Sequence, residues 1–269
     1  MGDLKFCFES FGVSVAIESD SAEILARAVA TARSALLENV RVLECDRAEQ
    51  RFQLRDDGAG LFSIIQNGEA LASNDPPDFR FWKYFDSLVR ILVAEHAKSV
   101  VFVHAGVVGW RGGAIVLPGS SFAGKTTLVA ELIRAGAEYF SDEYAVFDNT
   151  GLVHSFPRKL SVRTSEPVFD EQPVTVESIG GRAASAPAAV KCVLFAKFEA
   201  DSAWNPEVLT LGQGMMEILP QTIAIRQNTE FAINILKKAI GSAIIVKSPR
   251  PDAVDFARVF LEFVDNKAF

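Results

Sequence analysis

The run Gly119-Ser120-Ser121-Phe122-Ala123-Gly124-Lys125-Thr126 has the spacing G-x-x-x-x-G-K-[ST], which is chemistry for holding phosphate. Glycines let the backbone approach phosphate oxygens, and successive N–H groups at a helix start stabilise the anion. Lys125 would neutralise the β and γ phosphates and the Thr126 hydroxyl would bind Mg²⁺. With Thr127, the first residue of the helix expected next, these positions are the candidate ATP site. Asp142 and Glu143 follow one helix and one short strand later. Carboxylates there suit the two tasks the loop leaves open, holding metal and accepting the proton of an attacking hydroxyl. Ordinary P-loop NTPases place the metal carboxylate after a long apolar strand farther along the chain. Tyr139-Phe140-Ser141 is a poor version of that strand, so the layout is atypical. His104 stands inside an apolar strand directly before the loop, where a core histidine bonded to a carbonyl is the plain alternative. Arg158 and Arg163 would either clamp the transferred group or a substrate acid, or be ordinary surface cations.

The elements that must position these residues can be read from periodicity. Val100 to Val108 and Ala114 to Leu117 are dense apolar strands around the turn Trp110-Arg111-Gly112-Gly113. The loop follows the second of them and opens a helix from Thr127 to Ile133. Short strands are expected through Phe147 and Leu152 to Val162, then a mobile loop over Glu166 to Pro187, rich in Pro, Ser, Gly and acid. Ala189 to Phe198 and Ala243 to Val246 read as further strands, and Asn228 to Ile240 and Pro251 to Val264 as helices. Before residue 98 the pattern differs. Leu4 to Glu18 alternates at period two around Phe11-Gly12, and Ser19-Asp20-Ser21 would cap a helix to about Leu37. Val40 to Glu44, Arg51 to Leu54 and Leu61 to Gln66 read as strands, stopped by Asn74-Asp75-Pro76-Pro77. A helix over Asp78 to Ala97 would bury Phe81, Trp82 and Phe85. The expected organisation is a smaller α+β region, 1–97, and an α/β P-loop domain, 98–269.

Composition narrows the function classes. The 269 residues carry 27 Lys plus Arg against 34 Asp plus Glu, a net charge of −7, which disfavours binding a nucleic-acid backbone. No stretch approaches the roughly 20 apolar residues of a membrane span, and no secretory leader pattern is visible at Met1. Cys7, Cys45 and Cys192 are few, odd in number and widely spaced, so they predict no disulfide framework and fit a reducing cytoplasm.

Three elements in order, His104-Ala105-Gly106-Val107, the loop Gly119 to Thr126 and the pair Asp142-Glu143, resemble the HPr kinase/phosphorylase family. More distantly they resemble the ATP-dependent phosphoenolpyruvate carboxykinases. The run Ser141-Asp142-Glu143-Tyr144-Ala145-Val146-Phe147-Asp148 looks like the HPr kinase-related proteins, and the likeness covers about Val101 to Arg163. It implies an α/β fold with a mixed-sheet kinase core distinct from classical P-loop NTPases. It also implies ATP and Mg²⁺ as cofactors, a homo-oligomer, Asp142 as general base, Glu143 as a metal-side carboxylate, and His104 as an active-site histidine near the phosphates. The chain departs from the family at Glu143, where Asp is usual. It departs again at Leu160-Ser161-Val162-Arg163-Thr164, which keeps the Arg of a Glu-apolar-Arg-Gly segment and loses its acid and glycine. The expectation is an ATP-dependent kinase without phosphorylase activity. It would phosphorylate a hydroxyl, most often serine, of a protein, peptide or small-molecule metabolite. The alternatives are a nucleotide-dependent switch and a scaffold that binds ATP without phosphotransfer.

Overall fold

The structure is a computed structural model that describes residues 4–120, 124–163 and 171–267. It is a mixed α/β protein that divides into two compact units, Met1–Ser99 and Val100–Phe269.

In the first unit, β1 (Leu4–Ser10) and β2 (Val13–Ser19) form a hairpin. Next come α1 (Ala22–Ala35), β3 (Arg41–Val42), β4 (Gln50–Asp56), β5 (Phe62–Gln66), β6 (Glu69–Asp75) and α2 (Phe79–His96). The six strands lie in the order β3-β1-β2-β4-β5-β6, antiparallel except for the β2–β4 pair. Ser21 caps α1 and Asp78 caps α2, each side chain accepting first-turn backbone N–H bonds. Alternating strand residues Phe8, Val15, Ile17, Phe52, Leu54 and Ile64 are buried in one core with Ala28 and Ala32 of α1 and Phe81, Trp82 and Phe85 of α2. The aromatic stripe of α2 is thus core. Against expectation, Cys7 of β1 and Cys45 are joined by a disulfide with their Cα atoms 5.1 Å apart. Pairing of β3 with β1 returns the chain to Cys7, whose carbonyl accepts from the Leu43 N–H, and carries Cys45 to it. The cysteine argument for a reducing compartment falls with this bond; Cys192 is free and buried.

The second unit begins with β7 (Val100–Trp110), β8 (Gly113–Pro118), α3 (Lys125–Arg134), β9 (Glu138–Ser141), β10 (Tyr144–Asp148) and β11 (Val153–His154). It continues with β12 (Leu160–Arg163), β13 (Glu171–Val174), β14 (Val190–Phe198), β15 (Glu207–Val208), α4 (Leu211–Ile218), α5 (Thr229–Ile240), β16 (Ile244–Arg250) and α6 (Ala253–Lys267). Its main sheet runs β11-β10-β7-β8-β14-β16-β15, with β9 also on β7. The β8–β14–β16 strands are parallel, as the helical connections between them require. Strand alternation feeds two cores on opposite faces. Val103, Val107, Val116 and Val193 meet α5, while Ile115, Leu117, Leu194 and Val246 meet α3 and α6. The loop expected over Glu166 to Pro187 is corrected where it is described: Glu171–Val174 pairs antiparallel with β12, and a 3₁₀ turn follows at Glu177–Ile179. Residues 166–170 of that expectation lie outside the described residues. No described helix is long and apolar enough to cross a membrane.

Candidate functional site

Strand β7 brings the two motifs together. On one edge its residues Ala105 to Trp110 pair with β8, ending at Ala105 opposite Pro118, so the glycine-lysine loop leaves the sheet beside Ala105. On the other edge β10 pairs with Val100 to His104 and β9 with Val107 to Gly109. The gap between those partners is the Asp142-Glu143 turn, and the Glu143 carbonyl accepts the Ala105 N–H at 3.1 Å. The Gly119 N–H in turn donates to the His104 carbonyl at 3.3 Å. Loop and acidic turn therefore flank one residue of β7, about 10 Å apart at the backbone for strands spaced about 4.8 Å. Opposed side chains can close that distance. Gly106 lets α3 lie close on the strand, because a Cβ there would sit 2.6 Å from Val129 Cγ2.

The loop ends at Gly124, the N-cap of α3, whose φ of +77° is left-handed and suits glycine. Lys125 Nζ donates to the carbonyls of Gly119 (2.7 Å) and Ser120 (2.8 Å). Half-buried, it has its pKa pulled down to about 8 by burial, with Asp142 pulling the other way. Thr126 Oγ1 donates to Asp142 Oδ2 at 3.1 Å, and Thr127 is exposed on the first turn of α3. Ser121, Phe122 and Ala123 lie outside the described residues, as does the side chain of Arg163, whose backbone pairs with Glu171.

Asp142 is fixed from a second side. The Tyr139 hydroxyl lies 2.9 Å from Asp142 Oδ1 and 2.7 Å from the Arg158 carbonyl, with one proton to share between them. Burial first, and then the Asp142 charge, hold that phenol far above its usual titration range, so it stays a donor. The turn itself is tied by Ser141 Oγ, which accepts the N–H groups of Glu143 and Tyr144. Glu143 points differently: its Oε2 lies 3.6 Å from Arg158 Nε, and its side chain is 27% exposed. His104 packs edge-on against Tyr144, its cross-strand neighbour.

The structure thus bonds Thr126 to Asp142, turns Lys125 back onto the loop carbonyls within the attraction of Asp142, sets Glu143 with Arg158, and keeps His104 on the strand between loop and turn. It places Asp142, not Glu143, against Thr126. Two residues escaped the sequence reading in these roles. Tyr139 belongs to a weak strand pattern, and Arg250, which donates to the Gly124 carbonyl at 2.9 Å, follows the polar Lys247-Ser248-Pro249 and carries no local signal. The pair Thr126 Oγ1 and Asp142 Oδ2 offers hard oxygens 3.1 Å apart, near the roughly 3 Å between adjacent ligands in an octahedron with 2.0–2.1 Å bonds. One hydroxyl and one carboxylate, with water and phosphate completing the shell, is a common donor set for Mg²⁺. These residues fit that ion. Neither protein-family models nor curated proteins give a match to this sequence.

Proposed function

We propose that this chain is an ATP-dependent kinase of the HPr kinase-like type, passing the γ-phosphate to a hydroxyl of a protein, peptide or small molecule. The contact between Thr126 and Asp142 carries the reading. A solvated acidic turn would have no reason to meet the hydroxyl of a G-x-x-x-x-G-K-T loop, whereas a phosphotransfer site needs that meeting. Lys125 and the start of α3 bind and orient the phosphate chain. Thr126 and Asp142 would hold Mg²⁺, which spreads the charge of the transferring group when bound. Glu143, partly exposed beside Arg158, accepts the acceptor's hydroxyl proton at its carboxylate. Arg158 orients that carboxylate, and Tyr139 holds Asp142. In this proposal the two acids exchange the parts that the family resemblance assigned to them.

The test has two layers. Wild-type protein with γ-labelled ATP and Mg²⁺ should label a hydroxyl within a peptide or metabolite library, and Lys125→Ala should not, while folding normally. ATP bound with only slow hydrolysis and no labelled acceptor would favour a switch, and binding without either would favour a scaffold. Asp142→Asn should raise the Mg²⁺ needed for half-maximal rate. Glu143→Gln should lower turnover by about 10²–10⁴ at saturating Mg²⁺. The reverse pattern would return the base to Asp142.

A further inference from the structure

We propose that Arg250 is a second fixed cation of the phosphate site, bracing the Gly124 peptide and meeting the phosphate chain of a nucleoside diphosphate or triphosphate beside Lys125. This rests on the nucleotide-binding reading of the loop and adds to it a residue 125 positions away in sequence, from a different strand.

Parallel pairing of β8, β14 and β16 brings their C-terminal ends to the same end of the sheet, where Arg250 is the last residue of β16 and pairs with Phe198. Its side chain is 3% exposed. Nη2 donates to the Gly124 carbonyl at 2.9 Å and Nη1 to the Pro251 carbonyl at 3.0 Å, with the guanidinium carbon 5.5 Å from the centroid of the Phe198 ring. The approach is close enough that a Cβ on Gly124 would collide with Nη2, a second reason for glycine there. Arg250 and Lys125 line one pocket with Leu117, Leu194 and Ala196.

A guanidinium this buried ordinarily faces a carboxylate, since an unpaired interior charge is strongly disfavoured. Here no carboxylate among the described residues forms an ion pair with it. Asp252 attracts it from a distance but spends its Oδ1 on the Val254 N–H at the start of α6. Burial lowers the Arg250 pKa, yet a guanidinium remains protonated at any physiological pH. Of its five N–H groups, the bonds to Gly124 and Pro251 use two, and both acceptors are neutral. The fold therefore keeps two cations, Lys125 and Arg250, against the N-terminus of α3, with Asp142 bonded to Thr126 and Tyr139. Asp142 attracts Lys125, but no described carboxylate pairs with Arg250, and an anionic phosphate chain that meets both side chains completes this arrangement, whereas a neutral ligand does not.

Titration calorimetry of ADP with Mg²⁺ tests it, with Arg250→Lys and Arg250→Gln compared to wild type. Lysine keeps the charge, whereas glutamine keeps a donor for the Gly124 carbonyl without charge. We expect Arg250→Gln to weaken ADP about 10–100-fold, as loss of a charge-assisted bond does, and Arg250→Lys to stay within about fivefold of wild type. Equal affinity of Arg250→Gln and wild type would overturn the proposal, reducing Arg250 to a brace. If Lys125→Ala loses ADP while Arg250→Gln keeps it, this inference alone fails. If wild type binds no ADP, both it and the nucleotide reading fail. Should the variants not fold, the wild-type Arg250 Nε–H resonance decides. It should shift on addition of ADP, and an unmoved signal under saturating ADP overturns the assignment.

Discussion

Binding of ADP at pH 8 should draw protons from solvent, and Lys125 should be the group that takes them. Burial pulls its ammonium down to about 8, against the roughly 10.4 of an unfolded chain. Its Nζ donates to two neutral carbonyls, which solvate the charge less well than water does. At pH 8 about half of the molecules then carry a neutral Lys125, and at pH 7 about a tenth. A phosphate chain beside Nζ favours the charged form and lifts the pKa well above 8. ADP should therefore bring in roughly half a proton at pH 8 and roughly a tenth at pH 7. By linkage, affinity should fall as pH rises through 8, approaching tenfold per unit above it. The same shift bears on folding with its own sign. The folded pKa lies below the unfolded one, so charged Lys125 destabilises the fold fully below about pH 8, and this is relieved as pH climbs from 8 toward about 10.4. Calorimetry in two buffers of different ionisation enthalpy counts the protons directly. The second ionisation of a phosphate, near about 6, contributes less at pH 8 than at pH 7, so it cannot mimic the trend. Uptake that does not grow between pH 7 and pH 8, with ADP demonstrably bound, would refute the argument.

Three shorter predictions concern neighbouring parts. Tyr139→Phe removes the hydroxyl shared by Asp142 and the Arg158 carbonyl, and should lower turnover about 10–100-fold and stability by about 1–3 kcal/mol. Steady-state rates and thermal unfolding check it, and an unchanged rate would show that Asp142 needs no second holder. Cys45→Ser opens a bond across 38 residues and should destabilise the first unit by about 2–4 kcal/mol, read as denaturant unfolding with and without reductant. Identical curves would argue against the bond in solution. On the proposed function, phosphorylated acceptor incubated with enzyme, Mg²⁺ and millimolar phosphate should release no pyrophosphate, because Ser161 and Thr164 stand where the segment that Leu160 to Thr164 resembles has acid and glycine. Pyrophosphate at a rate near that of the forward reaction would overturn this.

Local signals in the sequence determined much of the framework. The Phe11-Gly12 turn between alternating apolar runs specified the β1–β2 hairpin, and Ser21 and Asp78 marked helix starts that the structure keeps. The glycine-lysine loop between an apolar strand and a helix was legible because each of its parts is contiguous in the chain. What stayed hidden was short or held from outside. Helix α4 has eight residues and two glycines, and its Thr210–Gln213 capping box is easily passed over. Strand β6 contains Glu69, Asn74 and Asp75, poor strand formers held in place by pairing with β5. The acidic pair was visible as a motif, but which carboxylate meets Thr126 was not. Adjacent residues in a turn point different ways, and the direction was set by Tyr139 and Ser141 of β9 and by Arg158 farther along the chain. Strand β7, with β8 on one edge and β9 and β10 on the other, decided that loop and turn meet at all. The Cys7–Cys45 bond and the seat of Arg250 under Gly124 were decided in the same way. Such contacts depend on strand order and register across long separations, and these follow from burying two faces of a sheet at once, which no window of neighbouring residues encodes.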